Sequence, residues 1–120
     1  METKKVLIVE DELIISMLIE RMVGNMGHEV VDKVSSGEDA ITAAFEHEPD
    51  IILMDIRLQG DINGIEAMSQ IREKLDTPVI YISGNTDKLH MDQIESSDYI
   101  EFLSKPITFS ELNRSFDMAS

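Results

Sequence analysis

Four short apolar runs in this sequence each lead into a residue able to do chemistry. "VLIV" (6–9) runs into Glu10, Asp11 and Glu12, "IILM" (51–54) into Asp55, "VIYI" (79–82) into Ser83, and "YIEFL" (99–103) is followed by Lys105 and Pro106. Two carboxylates about 4 Å apart repel by roughly 4 kcal/mol at a near-surface dielectric, so an acidic cluster is either splayed into water or neutralised by a cation. Grouped carboxylates suit a hard divalent ion; Mg²⁺ in particular binds through a few of them, keeps waters and takes oxygens from a phosphate. An aspartate leaving a fully apolar strand, as Asp55 does, is held firmly enough to act as a nucleophile once a cation offsets repulsion from an incoming phosphoryl group. Lys105 would bring a point positive charge to a phosphoryl oxygen, and Ser83 a hydroxyl donor. These residue types, met in one place, make a phosphoryl-accepting site.

Bringing them together is the task of the elements between. With "VVDKV" (30–34), five β-rich runs alternate with five segments of helical character. Leu13 to Met26 has helical apolar spacing and stops at Gly27, a good C-cap residue. Ser36 to His47 opens on Ser-x-x-Asp; Asn63 to Leu75 and Thr86 to Glu95 follow; "TFSE" (108–111) is a full capping box for the last helix. Strict βα alternation predicts an α/β fold, a doubly wound five-stranded parallel sheet with helices on both faces. The continuously apolar runs read as strands covered on both sides, whereas Asp32 and Lys33 mark the second as an edge. A central first strand beside an edge second strand is the order 2-1-3-4-5, and in such sheets ligands bind outside the carboxyl ends of the strands.

Composition bounds the function. A chain of 120 residues, 42% apolar and 28% charged, is read as one globular domain, 1–120. Ten Lys and Arg against 24 Asp and Glu give a formal charge of -14, which repels nucleic-acid backbones and anionic membranes. The sequence has no cysteine, hence no thiolate zinc site or disulfide framework, and "METKKVLIVEDE" meets acid before any long apolar stretch, unlike a secretory signal. A cytoplasmic location is expected.

The chain resembles the receiver domain of two-component response regulators, the CheY-like group of flavodoxin-like (βα)5 folds, over essentially its whole length. The residues that carry the resemblance are the acidic pair in "VEDE", the Asp of "ILMDIRL", the hydroxyl of "YISG" and the Lys-Pro of "FLSKPI", four motifs in order at four strand ends. The resemblance implies that Asp55 takes a phosphoryl group from a histidine of a sensor histidine kinase or histidine phosphotransfer protein. It places Mg²⁺ on Asp11, Asp55 and the backbone carbonyl of Arg57, with Glu10 helping directly or through water. Ser83 would then turn to the phosphorylated Asp55, and Phe102, at the position of the switching aromatic, would turn inward. The face built from the fourth helix, fifth strand and fifth helix would change with them, and could carry a homodimer. A cis bond before Pro106 is also implied. The chemistry would amount to a signalling switch with at most slow autodephosphorylation.

The sequence departs from the family pattern in places. Glu10 stands where Asp is usual, Gln59 where proline is common, and the loop "RLQGDING" is one residue longer than usual. Gly60 and Gly64 supply turn freedom there, and Asp61 adds an acid near the site. Glu12 reads as a first-turn helix acid, and His28, His47 and His90 as packing or surface residues. Two rival chemistries fit poorly. A haloacid-dehalogenase-type enzyme would need a second Asp where Arg57 stands, and a nucleotide-binding module would need a glycine-rich loop where Glu10 to Glu12 stand. In the first helix, Ile15, Leu18, Ile19, Met22 and Met26 form the expected buried stripe, leaving Leu13, Ile14 and Met17 as apolar excess beside the acidic pocket. That excess is either a docking patch for a helical bundle of the phosphodonor or is buried against the Asp55 loop.

Overall fold

The computed structural model describes residues 2–84 and 98–119. Strands β1 (Lys5–Val9), β2 (Glu29–Val34), β3 (Ile51–Asp55), β4 (Val79–Ser83) and β5 (Glu101–Ser104) form one sheet in the order β2-β1-β3-β4-β5. Every pairing is parallel. The helices are α1 (Leu13–Asn25), α2 (Gly37–His47), α3 (Gly64–Ile71) and α4 (Phe109–Met118). The helix expected over Thr86 to Glu95 lies outside the described residues, so α4 is the one that "TFSE" was read to open.

Strand side chains alternate between the two faces of the sheet, and the sequence fills both with apolar groups. Leu7, Val9, Ile52, Met54, Val79 and Tyr81 pack with Ala40, Ala43 and Ala44 of α2 and Ala67, Met68 and Ile71 of α3. Val6, Ile8, Ile51, Leu53, Ile80 and Ile82 pack with Ile19 and Val23 of α1 and Leu112 and Phe116 of α4. This double cover explains why the central runs carry no polar residue until they end. β2, flanked on one side alone, stays half-exposed, as its Asp32 and Lys33 require.

Three of the four described helices start at a capping side chain, whereas α1 starts after Glu12 without one. Ser36 Oγ accepts from the Asp39 N–H at 3.1 Å, and Asn63/Glu66 and Thr108/Glu111 form reciprocal capping boxes. Gly27, at φ 87°, takes the left-handed position that ends α1. Two expectations need correction. α3 stops at Ile71 instead of Leu75, because the Glu73 and Lys74 N–H groups turn to the carbonyls three residues back, tightening the chain ahead of Pro78. In α1, Leu18 is 51% exposed, while Ser16, Ile19 and Val23 are the buried residues. Leu18 lies about 100° round the helix from Ile19, away from the sheet, and the small Ser16 takes the place beneath.

Candidate metal and phosphoryl site

At the carboxyl rim of the sheet, backbone pairing sets each functional residue in place. The Glu10 N–H donates to the Val34 carbonyl (3.0 Å), Ile56 N–H to Ile82 (3.1 Å), and Lys105 N–H to Ser83 (2.9 Å). The peptide between Lys105 and Pro106 is cis. These bonds tie the end of β1 to β2 and the ends of β3, β4 and β5 to one another, the β1–β3 pairing of Val9 with Met54 joins the two groups, and residues up to 95 apart in the chain meet.

Asp55, 4% exposed, ends a strand buried along its whole length. Its Oδ2 accepts from Lys105 Nζ at 3.0 Å and its Oδ1 from the Arg57 N–H at 3.3 Å. Glu10, equally buried, has Oε2 on the Glu12 N–H at 3.1 Å. Its Oε1 lies 2.8 Å from Lys105 Nζ, yet outside hydrogen-bond alignment, so this oxygen has a compensating charge nearby but no donor aimed at it. Glu10, Asp11 and Asp55 can each present an oxygen within 4.8 Å of the others. A cavity of about 250 Å³ opens over Asp11 and Asp55, lined also by Glu12, Arg57, Gly84 and Lys105.

The electrostatics carry the mark of crowding. Burial, with the Asp55 charge beside it, holds the Glu10 carboxyl above the ordinary range despite Lys105. Burial and the hydrogen bond and charge of Glu10 do the same to Asp11. Burial pushes Lys105 down, but the two carboxylates it contacts outweigh that and leave it raised. Three acids facing one ammonium, an all-oxygen donor set and an undirected buried carboxylate oxygen are what a hard divalent cation satisfies, so these residues fit Mg²⁺.

The structure therefore unites Glu10, Asp11, Asp55 and Lys105, with Arg57 on the cavity wall. Ser83 is buried at the end of β4 beside Gly84. Phe102 stands apart from the cavity, half-buried across from Tyr81 and packed on the α2/α3 side of the sheet. Asp61, expected near the site, is outside the acidic group; its backbone N–H is held by Glu38 at 3.2 Å. Gly64 does not serve a positive φ as expected. A β-carbon there would stand 2.2 Å from the Asp55 carbonyl oxygen, so glycine is needed to let α3 start against the end of β3. That non-local contact left no local signal beyond the glycine itself. His28 packs as expected, its ring stacked on Phe116 and its Nδ1 accepting from the Lys4 N–H at 3.0 Å.

The profile of the response regulator receiver domain matches residues 6–117. The chain belongs to that family. Among its relatives, the transcriptional regulatory protein PdtaR of Mycobacterium tuberculosis is 28% identical over 116 residues, which take in 97% of this chain and 56% of PdtaR. The transcriptional regulatory protein YdfI of Bacillus subtilis is 41% identical over 96 residues, 76% of this chain and 43% of YdfI. This receiver-domain chain thus spans about half the length of the curated relatives it matches. The crystal structure of the signal receiver domain of a modulated diguanylate cyclase from Desulfovibrio desulfuricans G20 is similar with a TM-score of 0.93 at 29% identity, covering 98% of this chain and 94% of that one. Receiver domains are phosphoacceptor switches of two-component signalling, with an acidic pocket for Mg²⁺. Among the described residues, no helix is long and apolar enough to cross a membrane.

Proposed function

We propose that residues 1–120 act as one cytoplasmic receiver domain in which Asp55 accepts a phosphoryl group from a phosphohistidine. The observation that carries this reading is the placement of the Asp55 carboxylate, buried at a strand end, 3.0 Å from Lys105 Nζ and grouped with two further acids. In the transfer, the P–N bond of the phosphohistidine breaks, an Asp55 oxygen forms the new P–O bond, and the freed imidazole takes up a proton. Asp11, Asp55 and the Arg57 carbonyl would hold Mg²⁺, with Glu10 assisting; the ion supplies positive charge to the phosphoryl oxygens. Lys105 already contacts Asp55 Oδ2 and is placed to move onto a phosphoryl oxygen, leaving Glu10 to the cation. Ser83 would donate its hydroxyl to the same group, and Phe102 would follow it inward, altering the β5 and α4 face. Slow hydrolysis resets the switch.

The partner is a histidine kinase or phosphotransfer protein. Leu13, Ile14 and Met17 are 71%, 81% and 54% exposed beside the acidic rim, which favours the docking patch over burial. A neighbouring apolar groove of about 260 Å³ between α1 and the Lys105–Ile107 turn, floored by Ile15, Ile19 and Met22, extends the same surface. A homodimer through the β5 and α4 face stays part of this reading. Incubation with a small phosphodonor and Mg²⁺ followed by intact mass tests it: the wild type should gain one phosphoryl group and Asp55→Asn none. An unchanged wild-type mass would refute it.

A further inference from the structure

The β3–α3 loop, residues 56–63, leaves Asp55 and returns to it. It is pinned at both ends, by Ile56 N–H on Ile82 (3.1 Å) and by Gly64 N–H on Ile56 (2.8 Å). Its first turn carries Arg57, which lines the cavity and whose N–H holds Asp55 Oδ1. Its tip leans on the N-terminus of α2. Gln59 forms an isolated parallel bridge with Ser36, the residue that caps α2. Ile62 packs so closely on Gly37 that a β-carbon there would stand 2.6 Å from Ile62 Cγ1. Between them, Glu38 Oε2 accepts the Asp61 N–H at 3.2 Å. Gly60, at φ 98°, passes so close beneath the same carboxylate that a β-carbon would meet both of its oxygens at 2.8 Å. α2 itself is fixed to the sheet through the buried Ala40, Ala43 and Ala44. A rigid helix thus grips the far side of the loop whose near side meets Asp55.

We propose that Glu38 is a positioning residue for the cation site: from the first turn of α2 its carboxylate holds the Gly60–Asp61 peptide, and through that loop the Arg57 peptide against Asp55. The inference rests on the reading of the cavity as a Mg²⁺ site and extends it to a residue outside the cavity. Groups that orient ligands without touching the metal cost about 10–100-fold in metal affinity when removed. Glu38 meets the loop by a single hydrogen bond, so the low end, about tenfold, is expected.

The test uses the whole chain and two readouts, the Mg²⁺ concentration giving half of the Mg²⁺-induced rise in melting temperature, with no phosphodonor present, and that giving half-maximal phosphorylation by a small phosphodonor. Glu38→Ala should raise both about tenfold. Glu38→Gln, which keeps an accepting oxygen without the charge, should behave as wild type. Glu46→Ala, at the other end of α2, should change neither. Glu38→Asp, which keeps the charge but shortens the reach by one methylene, should weaken Mg²⁺ as Ala does, and replaces it if the Ala variant does not fold. Unchanged Mg²⁺ dependence in Glu38→Ala, or in Glu38→Asp where it stands in, overturns the inference, as does a Gln variant as weak as Ala or a Glu46→Ala variant as weak as either. A wild type indifferent to Mg²⁺ in both readouts refutes instead the reading of the site itself.

Discussion

Gly64→Ala probes the link between packing and chemistry most sharply. The added β-carbon would stand 2.2 Å from the Asp55 carbonyl oxygen and 2.7 Å from Met54 Cγ, where carbon–oxygen contacts normally sit at about 3.3 Å or more. The start of α3 and the end of β3 must therefore separate by about 1 Å, stretching the 2.8 Å bond from the Gly64 N–H to the Ile56 carbonyl. A contact this short puts the overpacking at the upper end of about 1–3 kcal/mol, and the gain from replacing a helical glycine by alanine returns at most about 1, leaving a loss near 2 kcal/mol. For a chain of this size that is roughly 8 °C in melting temperature. Because the displaced backbone carries Asp55, phosphorylation by a small donor should slow by about 10- to 100-fold, the scale of an ångström's misplacement. Gly24→Ala is the matched control: a β-carbon there meets nothing within 4 Å, so the same exchange should raise the melting temperature by about 3 °C and leave phosphorylation unchanged. Thermal melts and intact-mass time courses on both variants decide. The reasoning fails if Gly64→Ala melts and reacts as wild type, or if the two exchanges shift stability in the same direction.

Mg²⁺ at 100 times its dissociation constant should add about 2.7 kcal/mol of stability, roughly 10 °C, reversed by a chelator; a melt indifferent to millimolar Mg²⁺ would contradict the cation site. Without metal, the raised Glu10 and Asp11 mean that the folded state binds protons more tightly than the unfolded chain. Their ionisation therefore costs stability fully above their folded pKa, and the cost fades as pH falls through that pKa towards the ordinary carboxylate value. Glu10→Gln should accordingly be more stable than wild type near neutral pH, by a margin that shrinks on acidification; a margin independent of pH would refute this. His28 has the opposite sign: burial and then the Lys4 charge depress it, so its contribution is present above the ordinary 6.5 and is lost as pH falls through the folded value, which an NMR titration should find below 6.5. Changing Leu13 and Met17 together to Ser should slow transfer from a phosphorylated protein partner while leaving the small-donor reaction intact, and equal loss in both would count against docking through α1.

The site was legible because Glu10, Asp11 and Asp55 follow apolar runs that could only be buried strands, Lys105 follows the half-buried β5, and parallel strands align their carboxyl ends. Glu10, Asp11, Asp55 and Lys105 needed no knowledge of the loops between. The order of the sheet followed from polarity, since Asp32 and Lys33 cannot sit in a strand covered on both faces. The phase of α1 was obscure for the converse reason. Leu13, Ile14, Ile15, Met17, Leu18 and Ile19 surround that helix with apolar groups, and one of its buried residues, Ser16, is polar but small. Contacts between residues distant in sequence left the weakest traces: Gly64 against Asp55, Glu38 beneath the loop tip, and Glu10 reaching Lys105 with the methylene that Asp would lack.

The central claim is that Asp55 is the group that takes phosphorus, and the most direct measurement is to find the acyl phosphate on the chain. After reaction with a small phosphodonor and Mg²⁺, borohydride reduction converts an aspartyl phosphate to homoserine, which peptide sequencing by mass spectrometry locates. The account predicts homoserine at position 55. Reduction at Asp11 or another acid, with Asp55 intact, would contradict it.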